Sequence, residues 1–309
     1  MLAIQFDRYG PPDVLRLATL PSPQPGPGEV RVKLQAAGVA PFDAKLRAGL
    51  LQAHFQPMLP KTLGRDGVGV VDQLGAGVVG VALGDAVCVM ADPSTGTYAE
   101  AVVCGTERIV PRPAGLSLHQ AAALMQPGNS AWIAVMETAQ VSAGMRVLVH
   151  GGAGAVGSLM VQLCRHLGAD VTATCRAGNE AYVVGMGAAR AIAYDRDDFG
   201  TLRDQDVVFD LIGGETHARS YPVLRAGGHM VYLTAAPVAD QGSAFGVKVS
   251  RAMISDRQAV LAAVAQLAAD GIFKPRVAGV FSLADAAKAH AALESGQVTR
   301  GRLVLDNQA

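Results

Sequence analysis

Hydrophobic and polar positions change their rhythm about a third of the way along this chain. Before residue 118 the apolar positions tend to recur every second residue. In Glu29–Val39, for example, Val30, Val32, Leu34 and Ala36 share one face, the mark of a half-buried strand. Val68–Leu74 and Ala86–Met90 are further β-type runs, set apart by Gly-Ala-Gly and Leu-Gly-Asp turns. Pro21, Pro23, Pro25 and Pro27, with Gly26 and Gly28, read as an extended connector ahead of the first run. From Leu118 the period becomes helical, and helices are predicted over Leu118–Gln126 and Ser130–Thr138 with a break at Pro127-Gly128. Strands and helices then alternate in the way that builds a parallel sheet. The strands are Arg146–His150, Asp170–Cys175, Ala191–Ala193, Asp206–Asp210 and His229–Leu233, with helices near 156–167, 178–186, 196–202 and 215–224. Helix Arg257–Asp270, strand Val277–Phe281, helix Leu283–Glu294 and strand Arg302–Leu305 follow.

The densest chemical signal sits where the first of these parallel strands stops. The run Val147-Leu148-Val149-His150 ends in Gly151-Gly152-Ala153-Gly154-Ala155-Val156-Gly157, and a helical apolar pattern (Leu159, Met160, Leu163, Cys164, Leu167) begins beyond it. Gly152, Gly154 and Gly157 satisfy G-x-G-x-x-G in the strand–turn–helix setting that a dinucleotide-binding fingerprint requires. Gly152 permits the tight turn, Gly154 lets backbone N–H groups approach a pyrophosphate, and Gly157 lets helix and strand pack closely. The helix N-terminus directs the positive end of its dipole to the phosphates. Glycine-rich turns without a ligand are the competing reading.

Composition narrows the setting. With 309 residues the chain has room for about two domains. Half the residues are hydrophobic and 17% are charged, which describes a globular protein. Lys plus Arg balances Asp plus Glu at 26 each, so no basic field favours nucleic acid or an anionic membrane. No basic run followed by an apolar stretch stands at the start, so no signal peptide is expected, and no apolar run has the length of a membrane span. Cys88, Cys104, Cys164 and Cys175 lack C-x-x-C spacing and read as reduced, buried thiols of a cytoplasmic protein.

In this order and spacing the segments resemble the medium-chain dehydrogenase/reductase superfamily, in its zinc-free quinone oxidoreductase (zeta-crystallin-like) branch. The resemblance covers nearly the whole chain. It is carried by Ala37-Gly38-Val39 with Pro41 and Asp43, Leu63-Gly64-Arg65-Asp66 with Gly67 and Gly69-Val70-Val71, and Gly84-Asp85-Ala86-Val87. Tyr98-Ala99-Glu100, Gly128 with Ser130-Ala131-Trp132, the glycine turn, Gly185–Ala188, Asp206–Gly214 and Arg300-Gly301-Arg302-Leu303-Val304-Leu305 add to it. It implies an α/β protein with a GroES-like β-barrel domain over residues 1–122, a doubly wound Rossmann domain over 123–265, and a return to the first domain over 266–309. The cofactor would lie in the cleft between the domains, on Ser130, Gly152, Ala153, Gly154, Ala155, Val156, Gly157, Arg176, Tyr194, Leu211, Ile212, Leu233, Thr234 and Arg302. Ala40, Phe42 and Tyr98 would line the substrate pocket, with the irregular Leu50–Leu59 segment and Ser243–Ile254. Dimerisation is also implied, through Phe245–Ile254, where Val247 and Val249 alternate like an edge strand.

Two departures sharpen the chemistry. The sister zinc branch looks like G-V-C and G-H-E where this chain has Gly38-Val39-Ala40 and Gly64-Arg65-Asp66. The thiolate and imidazole of a catalytic zinc site are missing, and His54 and His119 read as ordinary surface or packed residues, so no metal is expected. An NAD-selective site would carry an acid at the end of the second strand. This chain has Val171-Thr172-Ala173-Thr174-Cys175-Arg176, and Arg176 is placed to take a 2′-phosphate. Tyr194 matches a family tyrosine lying against that phosphate; the plainer reading leaves Arg176 solvated and Tyr194 over apolar surface. NADPH is therefore the expected cofactor.

Hydride transfer to a quinone or an enone needs neither a metal nor a strong acid, because the acceptor is already activated. Ser130, which matches a threonine of the resembled motif, is the best hydroxyl candidate at the nicotinamide, and Ala40 stands where the branch commonly has asparagine. Asp43 reads as structural, pairing with Lys45 or Arg65. The competing function is an NADPH-binding sensor, crystallin-like or RNA-binding protein, the last opposed by the neutral charge.

Overall fold

The computed structural model describes residues 1–53, 55–234 and 238–308, so His54 lies outside the described residues. The chain divides into two compact units, one of residues 1–126 with 256–309 and the other of residues 127–255.

In the first unit, β1 (Leu2–Phe6), β2 (Arg16–Thr19), β3 (Glu29–Gly38), α1 (Pro41–Arg47), β4 (Lys61–Thr62), β5 (Asp66–Leu74), β6 (Ala86–Met90), β7 (Ala101–Gly105), β8 (Ile109–Pro111) and α2 (Leu118–Ala122) follow in order. Strand β3 pairs antiparallel with β5 and with β7, and β5–β6–β8 continue the sheet. Val30, Val32 and Leu34 of β3 are buried with Val71, Val87, Val89, Val102 and Ile109, so the alternation read from the sequence is the core face of this sheet.

Next, α3 (Met125–Trp132) runs through Pro127-Gly128 rather than stopping there, and Ile133–Thr138 continue as a π-helix. Pro127 falls in the first turn of α3, where a backbone N–H has no intrahelical acceptor and proline is tolerated. The second unit then adds β9 (Arg146–Val149), α4 (Ala155–His166), β10 (Asp170–Cys175), α5 (Glu180–Gly185), β11 (Arg190–Ala193), β12 (Gln205–Asp210), α6 (Gly214–Ser220), β13 (Leu224–Tyr232), α7 (Gly242–Phe245) and β14 (Lys248–Arg251). All pairings are parallel and the order is β11-β10-β9-β12-β13-β14. Read from β9, that is the 3-2-1-4-5-6 order of a doubly wound dinucleotide fold. The predicted helix at 196–202 is a single 3-10 turn, Phe199–Thr201. Strand β13 begins five residues earlier than His229, because the register with β12 jumps from Gln205↔Leu224 to Val207↔His229 across Gly227-Gly228.

Elements α8 (Gln258–Ala269), β15 (Val277–Ser282), α9 (Ala286–Glu294) and β16 (Arg302–Asp306) return to the first unit, where β16 pairs with β3. Helix α8 belongs to this unit, whereas the sequence reading divided it at 265/266. Among the described residues no helix is long and apolar enough to cross a membrane. The four cysteines are buried and unpaired.

Candidate active site

The glycine turn is built by exclusion. Gly151 takes φ +70°, and the turn is closed by hydrogen bonds from Gly152 N to Thr174 O (2.8 Å) and from Gly154 N to Gly151 O (3.0 Å). A Cβ on Gly157 would lie 2.2 Å from the Gly151 carbonyl oxygen, so only hydrogen fits where α4 crosses the turn. A Cβ on Gly154 would meet only that same oxygen, at 3.4 Å. The third glycine is thus a packing requirement, and the second opens onto free space. Gly154 is the N-cap of α4 and has no side chain to cap it. The first N–H groups of the helix, at Ala155, Val156 and Gly157, have no acceptor within the helix and carry the positive end of its dipole.

Behind the turn, a buried chain of hydrogen bonds sets its position. Gly151 N–H donates to Thr174 Oγ1 (3.2 Å), His150 Nδ1 lies 3.1 Å from the same hydroxyl, and His150 Nε2 lies 2.9 Å from Ser220 Oγ. Ser220 Oγ donates onward to Thr216 O, so it accepts from His150 Nε2–H, and Nδ1 accepts from Thr174. Each proton in the chain then has one acceptor, with the imidazole neutral. Burial agrees, pushing the His150 pKa down to about 4.

Two neighbouring loops extend the edge where these strands end. Asp210, fully buried, accepts from Ile212 N (2.9 Å), Gly213 N (2.8 Å) and His217 Nδ1 (2.8 Å). That clamp turns the chain after β12 so that Ile212, 55% exposed, stands 3.3 Å from the Cβ position of Gly151. Leu211 is partly buried, and Thr234 lies 3.2 Å from the Cβ position of Gly213, with Leu233 linking it to the end of β13. The structure therefore gathers Gly151–Gly157, Leu211–Ile212 and Leu233–Thr234 along one sheet edge. Ser130 lies partly exposed on α3.

The far end of the same edge holds Arg176 and Tyr194. Cys175 and Ala193 are register partners, and Tyr194 N donates to Cys175 O (3.0 Å), so the two residues leave adjacent strand ends side by side. Tyr194 is 56% exposed. Arg176–Asn179 form a β-turn closed by Asn179 N→Arg176 O, with Gly178 at φ +88°.

Several first-unit assignments need correction. Tyr98 is not exposed to any pocket: it is fully buried, and its hydroxyl donates to Asp43 Oδ2 (3.3 Å) and lies 3.2 Å from His290 Nε2. Asp43 pairs with neither Lys45 nor Arg65. It accepts from Ala40 N (3.0 Å) and Gly64 N (3.3 Å), and burial raises its carboxyl to about 6. Arg302 was expected on the cofactor, but its guanidinium is spent inside the unit. It makes a bidentate pair with Asp66 (2.7 and 2.6 Å) and donates to Val39 O and Gln126 Oε1. Ala40 is buried as the N-cap of α1, and the half-buried Phe42 ring packs edge-on against Phe55. His119 is paired with Asp306 (2.7 Å), and Arg65 with Asp256. Sequence reasoning missed His150 and Asp210, although one directly follows β9 and the other ends β12, each just ahead of a glycine turn.

A glycine turn of this kind at the first strand of a 3-2-1-4-5-6 sheet is the frame of the dinucleotide-binding dehydrogenases. Residues 26–114 match the family model for the alcohol dehydrogenase GroES-like domain, and residues 186–305 that for a zinc-binding dehydrogenase. A quinone oxidoreductase of Pseudomonas aeruginosa is 30% identical over 98% of both chains. A 2-methylene-furan-3-one reductase of Solanum lycopersicum is 33% identical over 99% of this chain and 79% of its own. The Escherichia coli quinone oxidoreductase, solved in complex with NADPH, superposes with a TM-score of 0.89 at 27% identity, covering 99% of this chain and all of that one. The chain belongs to the medium-chain dehydrogenase/reductase superfamily, in its zinc-free quinone oxidoreductase branch. In place of the zinc branch's ligands it carries Ala40 and Arg65.

Proposed function

We propose that the protein is an NADPH-dependent reductase of quinones or electron-poor C=C bonds. The observation that carries this reading is the turn itself: its third glycine admits no side chain, and its second has open space at its Cβ position and starts α4 without a side-chain cap. Ala155, Val156 and Gly157 would hold the pyrophosphate through those N–H groups. Arg176 would pair with the 2′-phosphate, with Tyr194 against it, while Leu211, Ile212, Leu233 and Thr234 would support the rest of the cofactor. NADPH, when bound, supplies the hydride. The acceptor classes follow from what the chain lacks: Ala40 and Arg65 give no zinc ligand to polarise an alcohol, and a quinone or enone needs none. The Ser130 hydroxyl, on α3, would steady developing oxyanion charge. The names of the relatives, a quinone oxidoreductase and a 2-methylene-furan-3-one reductase, span both acceptor classes. We further assign a reduced, cytoplasmic setting, and a homodimer formed at β14, the outer strand of the six-stranded sheet; light scattering tests the latter.

The test is a panel of quinones, enones and simple alcohols assayed with both cofactors. NADPH should bind at least about tenfold tighter than NADH, a difference of about 1.4 kcal/mol, and Arg176→Ala should remove most of that preference. Turnover of quinone or enone without alcohol oxidation is expected. Robust ethanol oxidation would refute the acceptor assignment. Tight NADPH binding with no turnover across the panel would instead identify a cofactor-binding protein without catalysis.

A further inference from the structure

The turn that begins with Arg176 already holds negative charge. Its two successive N–H groups are each capped by a carboxylate: Ala177 N donates to Asp195 Oδ1 (2.8 Å) and Gly178 N to Glu180 Oε2 (2.6 Å). Both acids also act on Cys175 beneath the turn, whose thiol is pushed up to about 11, chiefly by burial and then by Glu180 and Asp195. The two carboxylates are not equivalent. Glu180 is balanced by Arg196 (3.1 Å), which also pairs with Asp197. Asp195 follows Tyr194 directly and is exposed, and its hydrogen bond to the backbone brings it no counter-charge.

We propose that Asp195 is a specificity-determining residue that tempers the preference for the 2′-phosphorylated cofactor. The proposal rests on the assignment of Arg176 and Tyr194 to the 2′-phosphate. Asp195 is joined to both: it is the next residue after Tyr194, and it is hydrogen-bonded to the residue after Arg176. A carboxylate there opposes a phosphate that carries close to two negative charges. It is neutral toward a bare ribose hydroxyl. The same carboxylate orders the turn that presents Arg176, so the chain holds its phosphate-binding arginine in place with a group that repels phosphate. The result is a cofactor preference set below the most that Arg176 could deliver.

Asp195→Asn separates the two roles, because the amide oxygen still accepts from Ala177 N–H while the charge is gone. NADPH and NADH affinities are measured by nicotinamide fluorescence titration at low and high salt, with thermal unfolding recorded to check the turn. The expected result is a gain of about fivefold in NADPH affinity, an unchanged NADH affinity, and a gain that shrinks at high salt. A loss of NADH affinity would overturn the proposal, since it would show Asp195 accepting a hydrogen bond from the ribose 2′-hydroxyl. No change in either affinity would also overturn it. Arg176→Ala keeps the two levels distinct. If that variant loses the NADPH preference while Asp195→Asn leaves it unaltered, only this inference fails. If the unmutated protein shows no preference and Arg176→Ala changes nothing, the assignment of the 2′-phosphate fails and takes this inference with it.

Discussion

One methyl group at Gly157 should loosen the nucleotide-binding unit before any cofactor is added. The Cβ of Gly157→Ala would lie 2.2 Å from the Gly151 carbonyl oxygen, 2.8 Å from its carbon and 3.0 Å from Gly152 Cα. Non-bonded carbon and oxygen rest at about 3.3 Å or more, so α4 and the turn must part by about 1 Å. Every clashing atom is backbone, and no rotamer change relieves it. Overpacking of this kind costs about 3 kcal/mol at the upper end, while alanine in a helix gains about 1 kcal/mol over glycine, leaving a net loss of about 2 kcal/mol. For a unit of this size that lowers the unfolding temperature by roughly 6 °C. Gly154→Val is the contrasting variant. Its position is open, so the apo protein should remain close to normal stability, but a branched side chain fills the space over the helix N–H groups and NADPH binding should be lost. Trp132, the single tryptophan, lies in this unit, and its fluorescence follows unfolding while nicotinamide fluorescence follows binding. Normal unfolding of Gly157→Ala, or retained NADPH affinity in a folded Gly154→Val, would refute the separation of a packing glycine from a ligand glycine.

Two further outcomes follow from buried charge. Histidine ordinarily titrates near 6.5, but burial pushes His150 and His229 down to about 4 and His290 to about 3. From pH 6.5 downward the unfolded chain takes up protons that the folded one refuses, so stability should fall across that window. Asp43, raised to about 6, opposes the trend below pH 6 as a single group against three. Urea midpoints that stay level from pH 7.5 to 5 would contradict this. Asp66→Asn leaves the buried Arg302 without its bidentate partner and should cost about 3 to 5 kcal/mol, whereas Asp66→Asn with Arg302→Met should recover part of the loss. Urea denaturation that ranks the double variant below the single one would overturn that reading.

Strand ends in the second unit were legible in the sequence to within a residue or two wherever a Val/Leu run met a glycine, because both signals are local. The glycine turn was legible for the same reason, and the steric need at Gly157 agrees with the role its spacing suggested. Other features depend on distant partners. The Tyr98 hydroxyl bonds a carboxylate 55 residues away and an imidazole 192 residues away, so no periodicity distinguishes it from a pocket residue. Arg302 carried a motif, but its destination depends on Asp66, 236 residues earlier. Pro127 misled because proline signals a break inside a helix and a favourable start within its first turn, and the pattern alone does not show where a helix begins. The carboxylates on the Arg176 turn are local but invisible to hydrophobic patterning, since side-chain bonds to backbone N–H leave no period.

The Asp66–Arg302 pair also has consequences for the order of events during synthesis. The second unit is one uninterrupted segment and can fold once residue 255 has left the ribosome. The first unit must wait, because Asp66 meets its arginine, and β3 its partner β16, only after residue 302 has been made. At translation rates of about 5 to 20 residues per second, the 176 residues from 127 to 302 occupy roughly 10 to 35 s. For that interval the nascent chain carries a carboxylate destined for burial and an open strand edge, and while its last 47 residues, 256 to 302, are made, the nucleotide-binding segment is already complete. The first unit, although mostly made first, is completed last, and ribosome-associated chaperones would have their longest opportunity on β3.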